Sequence, residues 1–168
     1  RERALNLAFV KSPEGENPIS VEGVFKATAE RMFAAWTTPD DLKQWFGPGP
    51  GQLDLVHVDL REGGAWRFAY GMKDGQSNEL SGAYEVIDAP RKLVFSWVHT
   101  RNFADGRAER TDASKVTITF DEGDEGTLVR LVHEAIKTRD GRLGVGGGWN
   151  GSYVRLEDFV ARQVLAAE

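Results

Sequence analysis

The chain has 168 residues, of which 40% are hydrophobic and 28% are charged, and its formal net charge is −5. This composition is typical of one globular domain, and no apolar run reaches the ~20 residues that a membrane-spanning helix needs. An acidic chain with scattered basic residues argues against a nucleic-acid partner, and the absence of cysteine excludes disulfides and thiol chemistry.

Residues 1–18 form an N-terminal extension before the domain proper. Residues 11–18 hold two prolines and a glycine among polar residues, which is typical of a loop. Leu5, Leu7 and Phe9 alternate ahead of this loop, which predicts either an edge strand or a partly ordered tail. An edge strand could pair with a second copy, so a homodimer is one candidate assembly. The extension has no signal-peptide layout, and we expect a cytoplasmic protein.

The domain proper, residues 19–168, is predicted to begin with one strand and two short helices. Residues 19–27 alternate with period two, which indicates a strand. Thr28 is the predicted N-cap of the first helix and Thr38 that of the second. The second helix is predicted to end at Gly47, ahead of a proline.

Residues 52–134 keep a period of two and contain short polar turns, which predicts six further strands joined by hairpins. A final helix is predicted from Trp149 to Ala166. Its apolar stripe consists of Trp149, Tyr153, Leu156, Val160 and Val164. The predicted fold is therefore α+β, with a curved seven-stranded antiparallel sheet wrapped around a long C-terminal helix.

Gly146, Gly147 and Gly148 come directly before the predicted final helix. A phosphate-binding loop would need a Lys-Ser or Lys-Thr pair after the glycines, and a dinucleotide site would need a βαβ unit. Neither pattern is present, so no cofactor is expected. We interpret the glycines as a flexible loop that gives clearance at the mouth of a pocket.

The inward faces of the predicted sheet and helix are rich in aromatic residues. One sheet and one helix enclose a volume that is hard to fill, and an empty cavity of ~300 Å³ would cost about 7 kcal/mol. The space is therefore packed by these aromatics, shared with water or filled by a ligand. The predicted pocket residues are Trp66, Phe68, Tyr84, Trp97, His99, Phe120, His133, Trp149 and Tyr153.

Three of these residues are candidates for acid–base catalysis: His99, His133 and Tyr84. The alternative is that both histidines make ordinary structural hydrogen bonds. The face of His57 is ambiguous, and we leave it out of the site. No two of the three histidines have helical ligand spacing, so no metal site is predicted.

Several stretches together resemble a known family, above all FKATAERMFAAWTTPDDLKQWFGP near the start and GGGWNGSYVRLEDF near the end. VDLREGGAWRF, SGAYEVIDAPRKLVFSW, VTITF and GTLVRLVHE lie between them, and the resemblance extends from Phe25 to Phe159. The chain resembles the stand-alone bacterial homologues of the activator of heat shock protein 90 ATPase, in the START-like (SRPBCC) helix-grip superfamily. The resemblance implies a seven-stranded sheet that grips the last helix around an internal pocket. It implies no single activity, since relatives include lipid carriers, polyketide cyclases and hormone binders.

The favoured hypothesis is binding of a small apolar or aromatic molecule. One alternative is a cyclase or hydratase that uses the pocket histidines. Another is a co-chaperone role, which would need an exposed apolar patch such as Trp45-Phe46-Gly47-Pro48, unless these residues close one end of the pocket. The eukaryotic co-chaperone carries a separate N-terminal domain that 168 residues would not accommodate, so the family name does not lead us to expect a chaperone partner.

Overall fold

The computed structural model describes residues 7–47 and 51–167. In chain order the elements are β1 (Ile19–Phe25), α1 (Ala29–Thr37), α2 (Pro39–Trp45), β2 (Leu53–Val58), β3 (Ala65–Lys73), β4 (Gln76–Asp88), β5 (Lys92–Asn102), β6 (Ala108–Arg110), β7 (Ser114–Gly123), β8 (Gly126–Glu134) and α3 (Arg139–Ala167). None of the helices in these two ranges is long and apolar enough to cross a membrane.

The strands form one antiparallel sheet in the order β1-β8-β7-β5-β4-β3-β2. Consecutive strands pair through short hairpins, as the period-two pattern predicts. The short strand β6, which was not predicted, pairs with β5 at Thr100–Asn102, beyond the Lys92–Trp97 segment that pairs with β7. The predicted α+β helix-grip fold is therefore confirmed: seven strands lie side by side in the sheet, and β6 pairs with β5 outside this row.

The two short helices begin where their capping residues predict. Thr28 Oγ1 accepts a hydrogen bond from the Arg31 N–H at 3.1 Å, which satisfies one of the free amides at the start of α1. Pro39 is the first residue of α2, where its missing N–H costs nothing. Both helices pack beside the sheet and bury Trp36 and Trp45.

Helix α3 begins at Arg139 rather than at Trp149. The predicted loop at Gly146, Gly147 and Gly148 is wrong, because all three glycines are helical. The Thr138 hydroxyl caps the new start and accepts from the Gly141 N–H at 3.0 Å. The apolar stripe is buried from Trp149 to Val160, but Val164 is 40% exposed and lies outside the core.

The extension lies along the outer edge of β1. Val10 forms a single antiparallel bridge with Val21, and the Glu22 N–H donates to the Phe9 carbonyl at 2.9 Å. Leu5, which belonged to the predicted alternation, lies outside the described residues. Residues 9–11 therefore cover part of an edge that would otherwise be open.

Candidate functional site

A cavity of about 720 Å³ lies between the first half of α3 and the strands that face it. The end of α2 and the segment between β8 and α3 contribute further walls. Its apolar lining consists of Phe46, Tyr70, Leu80, Trp97, Ala135, Ile136, Val145 and Trp149. Its polar lining consists of His99, Arg110, Thr111, Asp112, Ser114, Lys137, Thr138, Asp140 and Ser152. The volume and the mostly apolar wall are typical of small-molecule sites.

Three aromatic residues in mutual contact form one wall of the cavity. The ring centroids of Trp97 and Trp149 are 5.2 Å apart, and those of Phe46 and Trp149 are 5.7 Å apart. All three side chains are buried, with exposed fractions of 8% or less. The wall is therefore held in place by its own packing, and its free face is turned to the cavity.

Helix α3 approaches the cavity with glycines. Gly144 and Gly148 line it, and a Cβ built on either residue would meet no atom within 4 Å. Arg142 holds this part of the helix in place, since its guanidinium donates to the Gly15 carbonyl at 2.5 Å and to the Ile136 carbonyl at 2.8 Å. The glycines thus leave open space beside the cavity wall and are not required by close packing.

His133 lies behind the aromatic wall and does not line the cavity. Its Nδ1 accepts from Trp149 Nε1–H at 3.0 Å, so Nε2 carries the ring proton and donates to Ser114 Oγ at 2.7 Å. The Ser114 hydroxyl donates in turn to the Trp97 carbonyl at 3.3 Å. Burial lowers the pKa of His133 to about 3, so the ring is neutral and fully hydrogen-bonded.

His99 is the histidine that lines the cavity. Its Nε2–H donates to Asn78 Oδ1 at 3.1 Å, which leaves Nδ1 as an acceptor. Partial burial, with a smaller effect from the Arg101 charge, lowers the pKa of His99 below its usual range. The side chain is therefore neutral at pH 7 and adds a hydrogen-bonding group to an otherwise apolar part of the wall.

The other predicted pocket residues lie in the packed core. Trp66, Phe68 and Tyr84 surround a void of only about 20 Å³, and Phe120 and Tyr153 are buried among other aromatic rings. Burial raises the pKa of Tyr84. The structure thus brings Trp97, His99 and Trp149 together at the cavity, while the three acid–base candidates do not meet there.

Trp45 and Phe46 do not form an exposed patch. Their exposed fractions are 0% and 4%, and Phe46 is part of the aromatic wall. Pro48 lies outside the described residues. His57 is exposed on β2, away from the cavity. The position of Phe46 agrees with the alternative in which these residues close one end of the pocket, whereas Trp45 lies in the core and does not line the cavity.

Sequence reasoning missed several lining residues. Tyr70 continues the alternation of Trp66 and Phe68, and Leu80 pairs across the sheet with Phe68 and His99, so a signal for both was present. Val145 was missed because α3 begins at Arg139, ahead of the predicted start at Trp149, and Ile136 was missed because it belongs to the segment between β8 and α3, outside every predicted element. Within residues 7–47 and 51–167, no three histidine, aspartate or glutamate side chains are grouped to hold a metal ion.

An antiparallel sheet that holds a long C-terminal helix over a cavity is the architecture of the START-like, helix-grip proteins. Residues 26–161 match the family described as Activator of Hsp90 ATPase homolog 1-like protein, and the chain belongs to this family.

Solved structures of bacterial proteins share the fold. A putative uncharacterized protein from Rhizobium leguminosarum is 23% identical, with a TM-score of 0.71 over 86% of this chain and 94% of its own. The AHSA1 protein from Silicibacter pomeroyi is 24% identical, with a TM-score of 0.71 over 87% and 99%. CalU16 from Micromonospora echinospora is 25% identical, with a TM-score of 0.62 over 89% and 79%. The comparison with curated proteins found no match.

Proposed function

We propose that the protein binds a small, largely apolar molecule in the cavity between α3 and the sheet. The observation that carries this proposal is a cavity of about 720 Å³ with an aromatic wall of Phe46, Trp97 and Trp149. Apolar surface gains about 25 cal/mol per Å² when it is removed from water, so an apolar molecule is favoured in the cavity mainly because its own surface leaves water. The three rings are already 8% exposed or less, and they contribute close contact to such a molecule. The glycines of α3 support the proposal because they keep the space beside the wall free of side chains.

Catalysis is less well supported by the same geometry. His133 is neutral and has both ring nitrogens occupied, and Tyr84 lies in the core. Proton transfer on a bound molecule would therefore depend on His99. A co-chaperone role receives no support from Trp45 and Phe46, which are buried.

The test uses the neutral fluorescent dye N-phenyl-1-naphthylamine, whose emission rises in apolar surroundings, together with native mass spectrometry of the freshly purified protein. We expect the dye to bind wild-type protein and Gly148→Ala, since a single methyl group leaves most of the cavity free. Gly148→Leu should reduce its affinity about tenfold or more, because the larger side chain extends into the cavity.

The matched control is Gly147→Ala, next to Gly148 but not on the cavity lining, which should bind the dye like wild type. A folded Gly148→Leu protein that binds the dye unchanged would show that the dye binds elsewhere. A wild-type protein that binds no dye and carries no co-purified small molecule would refute the proposed function.

A further inference from the structure

We infer that the ligand carries an anionic group and that Arg110 binds this group at the polar side of the cavity. The inference rests on the proposed function and adds the chemical class of the ligand. The molecule would be amphipathic, with an apolar body against the aromatic wall and a carboxylate or similar group at the guanidinium.

The charged residues of the cavity differ in their partners. Lys137 Nζ lies 2.9 Å from Asp112 Oδ2, so these two charges compensate each other. Asp140 lies in the first turn of α3, where the partial positive charge of the helix N-terminus stabilises a carboxylate. In the described part of the chain, Arg110 takes part in no ion pair and no side-chain hydrogen bond. Asp140, like Arg110, forms no ion pair in this part of the chain, so Arg110 is the lining cation whose charge no side chain compensates.

His99 does not compete with Arg110 for an anion. Its pKa is lowered by burial and by Arg101, so at pH 7 it adds no positive charge to the cavity. Its Nδ1 can accept a hydrogen bond, but it cannot pair with a carboxylate. The cavity thus offers one uncompensated cation next to an apolar wall.

The backbone around Arg110 is fixed beside the cavity. Arg110 pairs with Thr100 across β6 and β5. The next residue is tied to His99 in both directions: the Thr111 N–H donates to the His99 carbonyl at 2.9 Å, and the His99 N–H donates to Thr111 Oγ1 at 3.0 Å. A guanidinium based on this strand presents a planar pair of donors that matches a carboxylate or sulfonate.

The experiment compares two dyes that differ by one charged group. N-phenyl-1-naphthylamine is neutral, and 8-anilinonaphthalene-1-sulfonate has the same ring system with an added sulfonate. We expect wild-type protein to prefer the anionic dye about fivefold, the range for a solvent-accessible ion pair. Arg110→Gln should abolish the preference with little change in the neutral dye's affinity. The preference should also decrease as salt is added.

The matched control is Arg107→Gln. Arg107 lies close to Arg110 in the chain, pairs with Asp105 and does not line the cavity, so its variant should keep the wild-type preference. Equal affinities in wild-type protein, a preference for the neutral dye, or a preference that survives Arg110→Gln would overturn the inference and leave the proposed function standing. Failure of both dyes to bind a protein that carries no co-purified small molecule would overturn the proposed function itself.

Discussion

His133 is a neutral imidazole held inside the core. Trp149 Nε1–H donates to one ring nitrogen and Ser114 Oγ accepts from the other, so a second ring proton would face the Trp149 donor. Burial in apolar surroundings disfavours the charged ring and lowers its pKa from 6.5 to about 3. The residue therefore couples protonation to unfolding.

The free energy of unfolding should decrease on acidification because of this histidine. Between pH 6.5 and about 3 the unfolded chain binds the His133 proton and the folded chain does not. The stability from neutral His133 is thus complete above pH 6.5 and is lost as the pH falls toward 3, by up to about 1.4 kcal/mol per pH unit. Urea unfolding at several pH values between about 7 and 4 measures this slope.

The matched variant is His133→Gln, whose amide keeps one acceptor for Trp149 and one donor for Ser114 but does not titrate. We expect its unfolding free energy to depend less steeply on pH than that of wild type, whatever its absolute stability. Equal slopes in wild type and His133→Gln would assign the pH dependence to other groups.

The first half of α3 has an unusual composition for a helix. Glycines occupy positions 141, 144, 146, 147, 148 and 151, and each glycine in a helix interior costs about 1 kcal/mol relative to alanine. Nothing lies within 4 Å of a Cβ built at Gly144, Gly147 or Gly148, so packing does not demand these glycines. This half of the helix should open more readily than the half that carries Tyr153 and Leu156.

Gly147→Ala is expected to raise the free energy of unfolding by roughly 0.5–1 kcal/mol. Amide hydrogen exchange in the first half of α3 should slow at the same time. Urea unfolding and exchange measured on the same protein test both effects. An unchanged stability and an unchanged exchange rate would show that glycine content does not limit this helix.

Gly82→Ala is a control that should change the free energy of unfolding in the opposite direction. A Cβ at Gly82 would lie 1.9 Å from the Ser96 carbonyl oxygen, on the neighbouring strand β5. Something must move, so this substitution should destabilise the protein even though glycine is a poor strand residue. The two variants separate a glycine that the packing requires from one that it does not.

Sequence patterns predicted the strands well because alternation depends on neighbours along the chain. The start of α3 could not be predicted in this way, since glycine favours a loop and only contacts from distant residues overrule it. Arg142 reaches the Gly15 carbonyl and Arg139 reaches the Glu14 carbonyl, and neither contact leaves a local pattern. The predicted loop was therefore wrong for a reason that lies in tertiary structure.

At the scale of the whole molecule, the candidate site was predicted only in part. Alternation indicates that Trp66 and Trp97 point inward, but not whether another ring fills the space in front of them. Trp66 meets Phe68 at 5.0 Å and belongs to the core, whereas Trp97 also borders the cavity. Which of the two tryptophans borders the cavity depends on where α3 crosses the sheet. The alternation within a single strand carries no information about that crossing.

The N-terminal segment connects the edge of the sheet to α3. The Phe9 N–H donates to the buried Asn150 Oδ1 at 3.0 Å, and the Phe9 ring lies 5.6 Å from that of Tyr153. The Lys11 N–H donates to the Ser20 carbonyl at 2.8 Å. Residues 9–11 therefore add contacts to the core and also occupy the edge at which a second copy could pair.

Deletion of residues 1–11 should lower the free energy of unfolding by about 3 kcal/mol, because Asn150 loses its donor and apolar contact with Tyr153 is lost. It should also expose the edge of β1 and promote concentration-dependent association, which sedimentation velocity measures. Deletion of residues 1–6 is the matched control, since it keeps every contact described for Phe9, Val10 and Lys11. Equal stability of the two truncated proteins would show that residues 7–11 do not hold the fold together. The full-length protein could instead associate while the protein without residues 1–11 does not. That result would place this segment in a dimer interface, because removal of a segment that only shields the edge should increase pairing.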